Sequence, residues 1–117
     1  MQIIMGKENA QELEDKYTLF ELDTFKFANF ADPVIAYCVI ETPPLDDMLN
    51  LDNVQNLHTK LMENYRKQNW SFCEQALEHL KGSLQGEMDT FYLSLEERIK
   101  GLRDQNLPED WTGYLDR

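Results

Sequence analysis

The sequence predicts an α+β fold, in which a small N-terminal β-α-β-β sheet unit is packed with a C-terminal three-helix bundle. Strand periodicity dominates residues 1–41 and helical periodicity dominates residues 45–103. Thr42-Pro43-Pro44 separates them, because proline lacks the N–H that a strand donates. This linker is too short to isolate two cores, so we expect one domain over residues 1–117. Residues 104–117 form a tail that is apolar enough to dock back on the helices.

The first strand and helix are predicted from a short apolar run and a capping pattern. Residues 1–5 are apolar and end at a glycine, which is typical of a strand. Asn9, followed by Glu12 three positions later, matches a capping box, so a helix is expected over residues 9–16.

Two further strands complete the predicted sheet. Residues 17–27 alternate in polarity, and residues 34–41 form a nearly continuous β-branched run that we expect to be the most buried strand. We expect the two strands to pair antiparallel. One face of the second strand is predicted to carry Phe20, Leu22 and Thr24, and the other Leu19, Glu21, Asp23 and Phe25.

Three helices are predicted from apolar residues at spacings of three and four. Candidate caps for the first are Asp46, Asp52 and Asn53. Ser71 and Glu74 form a capping box for the second, and the third spans residues 87–102. Glu96 and Lys100 are spaced to form a supporting pair. The apolar positions are Val54, Leu57, Leu61, Tyr65, Phe72, Cys73, Ala76, Leu77, Leu80, Met88, Phe91, Tyr92, Leu95, Ile99 and Leu102.

The chain is strongly acidic, with a net charge of −11 from 22 acidic and 11 basic residues. Such a field repels phosphate backbones, so direct nucleic-acid binding is not expected. A net negative charge of this size is compatible with binding to a basic protein partner, with mimicry of nucleic acid, or with a role in solubility alone. No apolar run reaches the length of a membrane span, no signal peptide is visible, and two cysteines fit a reducing compartment. We therefore expect a cytoplasmic protein that does not bind membranes.

No catalytic, cofactor-binding or metal-binding residues are predicted. His58 and His79 lack the glutamates of a metal-binding bundle and are expected at a helix surface or boundary. Cys73 lies on an apolar face, where an inert buried thiol is expected. Phosphate-binding glycine loops are missing. The doublets Asp46-Asp47 and Glu109-Asp110 suit weak cation binding, helix entry or solubility equally.

Aromatic residues give the clearest candidates for a binding surface. Tyr65 and Trp70 flank the predicted turn between two helices and are expected to hold the pair together. Trp111, Tyr114 and Leu115 in the tail either pack on the helices or form an exposed anchor for a protein partner.

The helical half resembles tetratricopeptide-type helix pairs, especially the helical tail of class III nucleotide cyclases. The matching residues are Tyr65-Arg66, Asn69-Trp70, Cys73, Leu77, Leu80, Asp89, Tyr92, Arg98 and the run from Pro108 to Gly113. Gln68 replaces the usual turn glycine, no proline closes the second helix, and there is no tandem array. The resemblance implies helix packing and a docking role, without cyclase activity.

The whole chain resembles small uncharacterised proteins of large tailed marine phages. The segments that carry this likeness are GKENAQELEDKYTLFELDTF, AYCVIE and LHTKLMENYRKQNWSFCEQALEHL. This resemblance implies a factor that acts in the cytoplasm of a bacterial host. The tetratricopeptide-like helix pair, together with the missing catalytic motifs, predicts a non-enzymatic protein-binding or adaptor protein, able to form a homo-oligomer. The alternatives are an acidic inhibitor that mimics nucleic acid, and a small enzyme or nucleotide-binding factor whose site no motif reveals.

Overall fold

The computed structural model describes residues 2–41 and 45–116, and over these residues the fold is α+β, as predicted. Two predicted positions lie outside the described residues. They are Met1, where the predicted sheet begins, and Thr42-Pro43-Pro44, where it is predicted to end. In chain order the elements are β1 (Gln2–Met5), α1 (Lys7–Leu13), β2 (Tyr17–Lys26), β3 (Val34–Glu41), α2 (Leu45–Arg66), α3 (Trp70–Leu80), a 3₁₀ turn (Ser83–Gly86), α4 (Asp89–Leu102) and β4 (Leu115–Asp116).

The chain forms two compact units. The sheet unit comprises Met1–Asn50 and Gly113–Arg117, and the helical unit comprises Leu51–Thr112. The boundary therefore falls inside α2, and the predicted tail is divided between the two units. That both units fold together as one domain stays a prediction.

The sheet has the strand order β1-β3-β2-β4. β3 lies between β1 and β2 and is antiparallel to both, which confirms the predicted pairing of β2 with β3. β4 adds to the other side of β2 as a short parallel strand. Four residues of β3 are buried, more than in any other described strand, so β3 is the most buried strand, as predicted; they are Ala36, Cys38, Val39 and Ile40.

A bulge in β2 changes which residues share a face of the sheet. Glu21 pairs with Tyr37 but Thr24 pairs with Ile35, so β2 carries one extra residue between these two pairs. Phe20, Leu22 and Thr24 are all buried, as the alternation predicts. The predicted shared face is wrong for Thr24, however, because the extra residue reverses the alternation beyond it.

α1 begins earlier than predicted. Gly6 precedes the helix with φ of 92° and ψ of 146°, a positive-φ conformation that favours glycine and turns the chain directly out of β1. Asn9 is not the cap: its side-chain amide donates to the carbonyl of Met5 at 2.8 Å. The helix therefore runs over Lys7–Leu13 and buries Ala10.

The predicted caps of α2 and α3 are also wrong. α2 begins at Leu45, so Asp46, Asp52 and Asn53 all lie inside it. α3 begins at Trp70 instead of after Ser71, and its first turn is reached from Asn69, which makes no side-chain cap.

The helical unit has a continuous apolar interior. α3 and α4 run antiparallel, because Glu74 of α3 pairs with Arg103 at the end of α4 while Lys81 after α3 pairs with Glu96. Glu96 forms an ion pair with Lys81 at 2.8 Å, and the charge of Lys100 also helps to lower the pKa of Glu96, in line with the predicted pairing. The fully buried side chains of this unit include Leu61, Leu77, Leu80, Met88, Tyr92, Leu95 and Ile99.

Candidate functional site

Trp111 packs against the turn between α2 and α3. Its ring centroid lies 5.3 Å from that of Tyr65 and 5.8 Å from that of Trp70, and Tyr65 and Trp70 are 5.9 Å apart. All three contacts are edge-to-face, the arrangement that aromatic quadrupoles favour. We call these three residues the aromatic cluster. Trp111 is half-buried within it, so its contacts in the structure are with the helices.

A hydrogen bond fastens the segment before Trp111 to the same turn. The side-chain amide of Gln68 donates to the carbonyl of Pro108 at 2.9 Å. Gln68 has φ of 64°, so the position where helix pairs of the resembled type carry glycine adopts the left-handed conformation that glycine favours. The aromatic cluster and this bond together serve the stability of the helical unit.

Tyr114 and Leu115 belong to the sheet unit, whereas Trp111 belongs to the helical unit. Leu115 pairs with Phe25 of β2, and its side chain is half-buried. Tyr114 is 41% exposed. The predicted anchor is therefore divided between the two units.

Apolar side chains from all four strands share one face at one end of the sheet. Residues that pair directly, or that stand two apart on one strand, lie on the same face. Met5 pairs with Ala36, Phe25 pairs with Val34, and Leu115 pairs with Phe25, which places all of them on that face. Ile3, two residues from Met5, joins them. The bulge in β2 is what brings Phe25 to this face.

The loop between β2 and β3 extends this surface with two more phenylalanines. The ring of Phe27 lies 6.0 Å from that of Phe25 and 5.5 Å edge-on from that of Phe30. Phe30 is 55% exposed, Ile3 54% and Met5 37%. We call this surface the hairpin-end patch; it consists of Ile3, Met5, Phe25, Phe27, Phe30 and Leu115.

Lys26 fixes the backbone of the loop that carries Phe30. Its ammonium donates to the carbonyl of Ala31 at 2.9 Å and to that of Phe30 at 3.5 Å. The amide of Phe30 donates to the carbonyl of Phe27 at 3.2 Å, which closes a turn. The exposed ring therefore stands on an ordered backbone.

The sheet unit carries most of the charge imbalance. Residues 1–50 contain ten acidic and three basic residues, a net charge of −7. Lys26 is directed at carbonyls of its own loop. Exposed acidic residues of this unit include Glu8, Glu12, Glu14, Asp15 and Asp32. A partner of this unit therefore meets a negative field.

A charged groove of about 680 Å³ lies between α3 and α4 in the helical unit. Leu77 and Ile99 are among its lining residues, and the ion pairs Glu74–Arg103 and Lys81–Glu96 cross it. The hydrogen bond between Lys81 and Glu96 raises the pKa of the lysine and lowers that of the glutamate. These charges pair with each other across the groove and so link α3 to α4.

His58 is buried, which corrects its predicted place at a helix surface or boundary. It is 1% exposed, and its Nδ1 lies 3.0 Å from the hydroxyl of Tyr92, which is itself fully buried. Burial lowers the pKa of His58 from 6.5 to about 4, because the charged imidazolium would lose its hydration. The neutral ring is thus a polar member of the core. His79 is exposed, as predicted.

Two kinds of reactive group, a cysteine thiolate and a bound metal ion, can be checked among the described residues. Cys73 is fully buried, and burial, with the negative charge of Glu74, raises its pKa to about 12, which leaves no reactive thiolate near neutral pH. Across residues 2–41 and 45–116 no group of three or more His, Cys, Asp or Glu could hold a metal ion. Within the same ranges no helix is long and apolar enough to cross a membrane.

The sequence prediction missed the hairpin-end patch. It placed Phe27 at the end of the strand predicted over residues 17–27, and it gave no role to Phe30 in the break before residue 34. The signal was available: three phenylalanines at positions 25, 27 and 30 around a turn are unusual for a solvated loop. The sequence does not reveal the bulge in β2 that brings Phe25 to the same face of the sheet as Met5.

No family model matches this chain, and no solved structure matches it either. Among curated proteins, it is similar to the UDP-N-acetylmuramoylalanine–D-glutamate ligases of two strains of Staphylococcus epidermidis. Each is 31% identical over 97 residues, which is 80% of this chain and 22% of the ligase. The chain therefore spans about a fifth of the length of these relatives.

Proposed function

We propose that this protein is a non-enzymatic binding or adaptor protein that contacts a protein partner through the hairpin-end patch. The observation that carries the proposal is Phe30, a large ring that is exposed on an ordered turn and packs edge-on against Phe27. Exposed apolar clusters of this kind are typical of interaction sites. Action in the cytoplasm of a bacterial host, and phage origin, belong to the same proposal.

The geometry of the loop supports binding because it lowers the entropy cost of association. A ring on a mobile loop must be immobilised when the complex forms, which opposes affinity. The bonds from Lys26 to the carbonyls of Phe30 and Ala31 already restrict the backbone, and Phe27 restricts the ring. Phe30 is therefore the residue whose truncation should weaken partner binding most.

Site-specific photocrosslinking in a host lysate tests this proposal. A photoreactive phenylalanine analogue is placed at position 30 or, as control, at position 93, where Leu93 of the helical unit is 52% exposed. We expect a discrete crosslinked product from position 30 alone. Unlabelled wild-type protein should compete for it about tenfold better than Phe30→Ala, and no better than Leu93→Ala. Equal products at both positions, or none at position 30, would refute the proposal.

The second candidate function is an acidic inhibitor that mimics nucleic acid. The uncompensated charge of the sheet unit favours it, since exposed acids of α1 such as Glu8 and Glu12 repeat along one element. In this case double-stranded DNA should displace the partner captured at position 30. If excess DNA does not affect the capture, the acidic inhibitor is excluded and the binding or adaptor function remains.

The third candidate is a small enzyme or nucleotide-binding factor, for which the similarity to a ligase is the motivation. The name of that ligase defines two test ligands, UDP-N-acetylmuramoylalanine and D-glutamate. Binding at 100 times Kd should stabilise the protein by about 2.7 kcal/mol, which a thermal-shift assay detects. An unchanged melting temperature with both ligands would remove this candidate.

A further inference from the structure

β1 is the terminal strand of the sheet, and its composition leaves most of that edge open, although the side chain of Asn9 already binds the carbonyl of Met5. Its one partner among the described strands is β3. The strand reads QIIM, without a charge or a proline, whereas natural edge strands commonly carry lysine, proline or a bulge that blocks further pairing. Ile3 and Met5 are exposed on the face of the hairpin-end patch.

We infer that β1 accepts an extended basic segment of the partner as an additional strand of the sheet. Main-chain hydrogen bonds along an open edge supply affinity, and alternate side chains of the added strand contact the receiving face. Ile3 and Met5 would pack against apolar residues at every second position of that segment. The inference rests on the proposed protein-binding function and adds the mode of recognition and the chemistry of the partner.

The charge of the sheet unit selects a basic segment over the other occupants of an open edge. With a net charge of −7 over residues 1–50, this unit repels an acidic strand and also a second copy of itself. Lysine or arginine residues on the solvated face of an added strand would lie within this field. Pairing of β1 with β1 of another copy is therefore disfavoured.

Fluorescence anisotropy with the labelled, capped peptide Lys-Val-Lys-Val-Lys-Val-Lys tests the inference on the full chain. We expect saturable binding that weakens as salt rises. Two control peptides should fail to bind: one with glutamate in place of lysine, and one with the same lysines but a central proline pair that prevents strand pairing. Binding of either control with equal affinity, or no binding of the first peptide, would overturn the inference.

Two matched variants locate the binding edge. Ile3→Lys and Leu93→Lys each introduce one positive charge at a position about half exposed, 54% and 52%. Ile3→Lys should weaken peptide binding about tenfold through like-charge repulsion beside the added strand, while Leu93→Lys changes it less than about twofold. Equal effects of the two variants would refute the assignment to β1.

Hydrogen exchange followed by NMR separates this inference from the proposed function. Saturating peptide should slow exchange of the β1 amides that do not face β3. Protection confined to the loop around Phe30 would overturn strand addition while leaving the proposed function standing. Conversely, if the peptide protects the β1 amides but no crosslinked product forms at position 30, the proposed function fails while strand addition stands. A concentration-dependent dimer in sedimentation that Ile3→Lys abolishes would also overturn the inference, since β1 would then serve self-association.

Discussion

Protonation of His58 should destabilise the helical unit in mild acid. The imidazole is buried beside Tyr92, and burial lowers its pKa from 6.5 to about 4. As the pH falls below 6.5, His58 binds a proton in the unfolded chain but stays neutral in the folded chain. Stability is therefore lost progressively between pH 6.5 and about 4, and this contribution is constant above about pH 7.

The magnitude follows from the difference between the two pKa values. One unit corresponds to about 1.4 kcal/mol, so the complete effect is about 3.4 kcal/mol, reached well below pH 4. Linkage gives about 2 kcal/mol at pH 5 and about 3 kcal/mol at pH 4. These values are a large share of the stability of a unit this small.

Urea unfolding followed by tryptophan fluorescence measures the effect in the correct unit, because both tryptophans, Trp70 and Trp111, lie in the helical unit. The free energy of unfolding is compared at pH 7 and pH 5 for wild type and for His58→Gln, which removes the titration and retains a polar side chain. Acidic residues contribute equally to both proteins. Wild type should lose about 2 kcal/mol more than the variant.

Parallel losses in the two proteins, within about 0.5 kcal/mol, would refute the reasoning, since this is the usual error of such comparisons. Should His58→Gln fail to fold, the ring resonances of His58 in the wild type give an independent measurement. They should remain those of the neutral imidazole down to about pH 5. A titration midpoint near 6.5 would show that the ring is solvated.

Other predictions concern the thiols, the aromatic cluster and the turn. Cys38 and Cys73 are fully buried, so a thiol reagent at pH 8 should modify them only as fast as the protein opens, and rapid modification would contradict this. Trp111→Ala should destabilise the helical unit by about 2–3 kcal/mol, whereas Tyr114→Ala should leave its unfolding within about 0.5 kcal/mol, as urea unfolding can test. Gln68→Gly should change stability by less than about 1 kcal/mol, because relief of the left-handed conformation offsets the lost bond to Pro108. A β-branched residue in Gln68→Val should cost about 2 kcal/mol, which differential scanning calorimetry would detect.

The elements of the fold were predictable because their periodicity was strong. The alternation of residues 17–26 and the β-branched run at residues 34–41 identify β2 and β3, and the spacing of apolar residues identifies α3 and α4. Helix starts were less predictable, since several polar residues before each helix can act as a cap. Gly6 shows the reason. Its positive φ starts α1 at Lys7, so the capping box predicted at Asn9, three residues after Gly6, does not start the helix.

The candidate site could be predicted only in part, because it depends on register. Leu115 was selected for its apolar character, but its partner Phe25 lies 90 residues away and was assigned to the opposite face. One extra residue in β2 reverses that face, and single-sequence periodicity does not reveal a bulge. The burial of His58 was missed for a similar reason, since its partner Tyr92 comes from another helix.

The position of β3 between β1 and β2 dictates the order in which the sheet unit can form during synthesis. β1 and β2 have no hydrogen bonds to each other, and both bind a strand that is translated after them. Residues 2–33 therefore leave the ribosome with two strands that lack their partner, and α1 is an element among these residues that can form locally. Translation of Val34–Glu41 then supplies the partner of both strands at once, so β1, β2 and β3 should join in a single event, and β4 adds to β2 only after Leu115–Asp116 are translated.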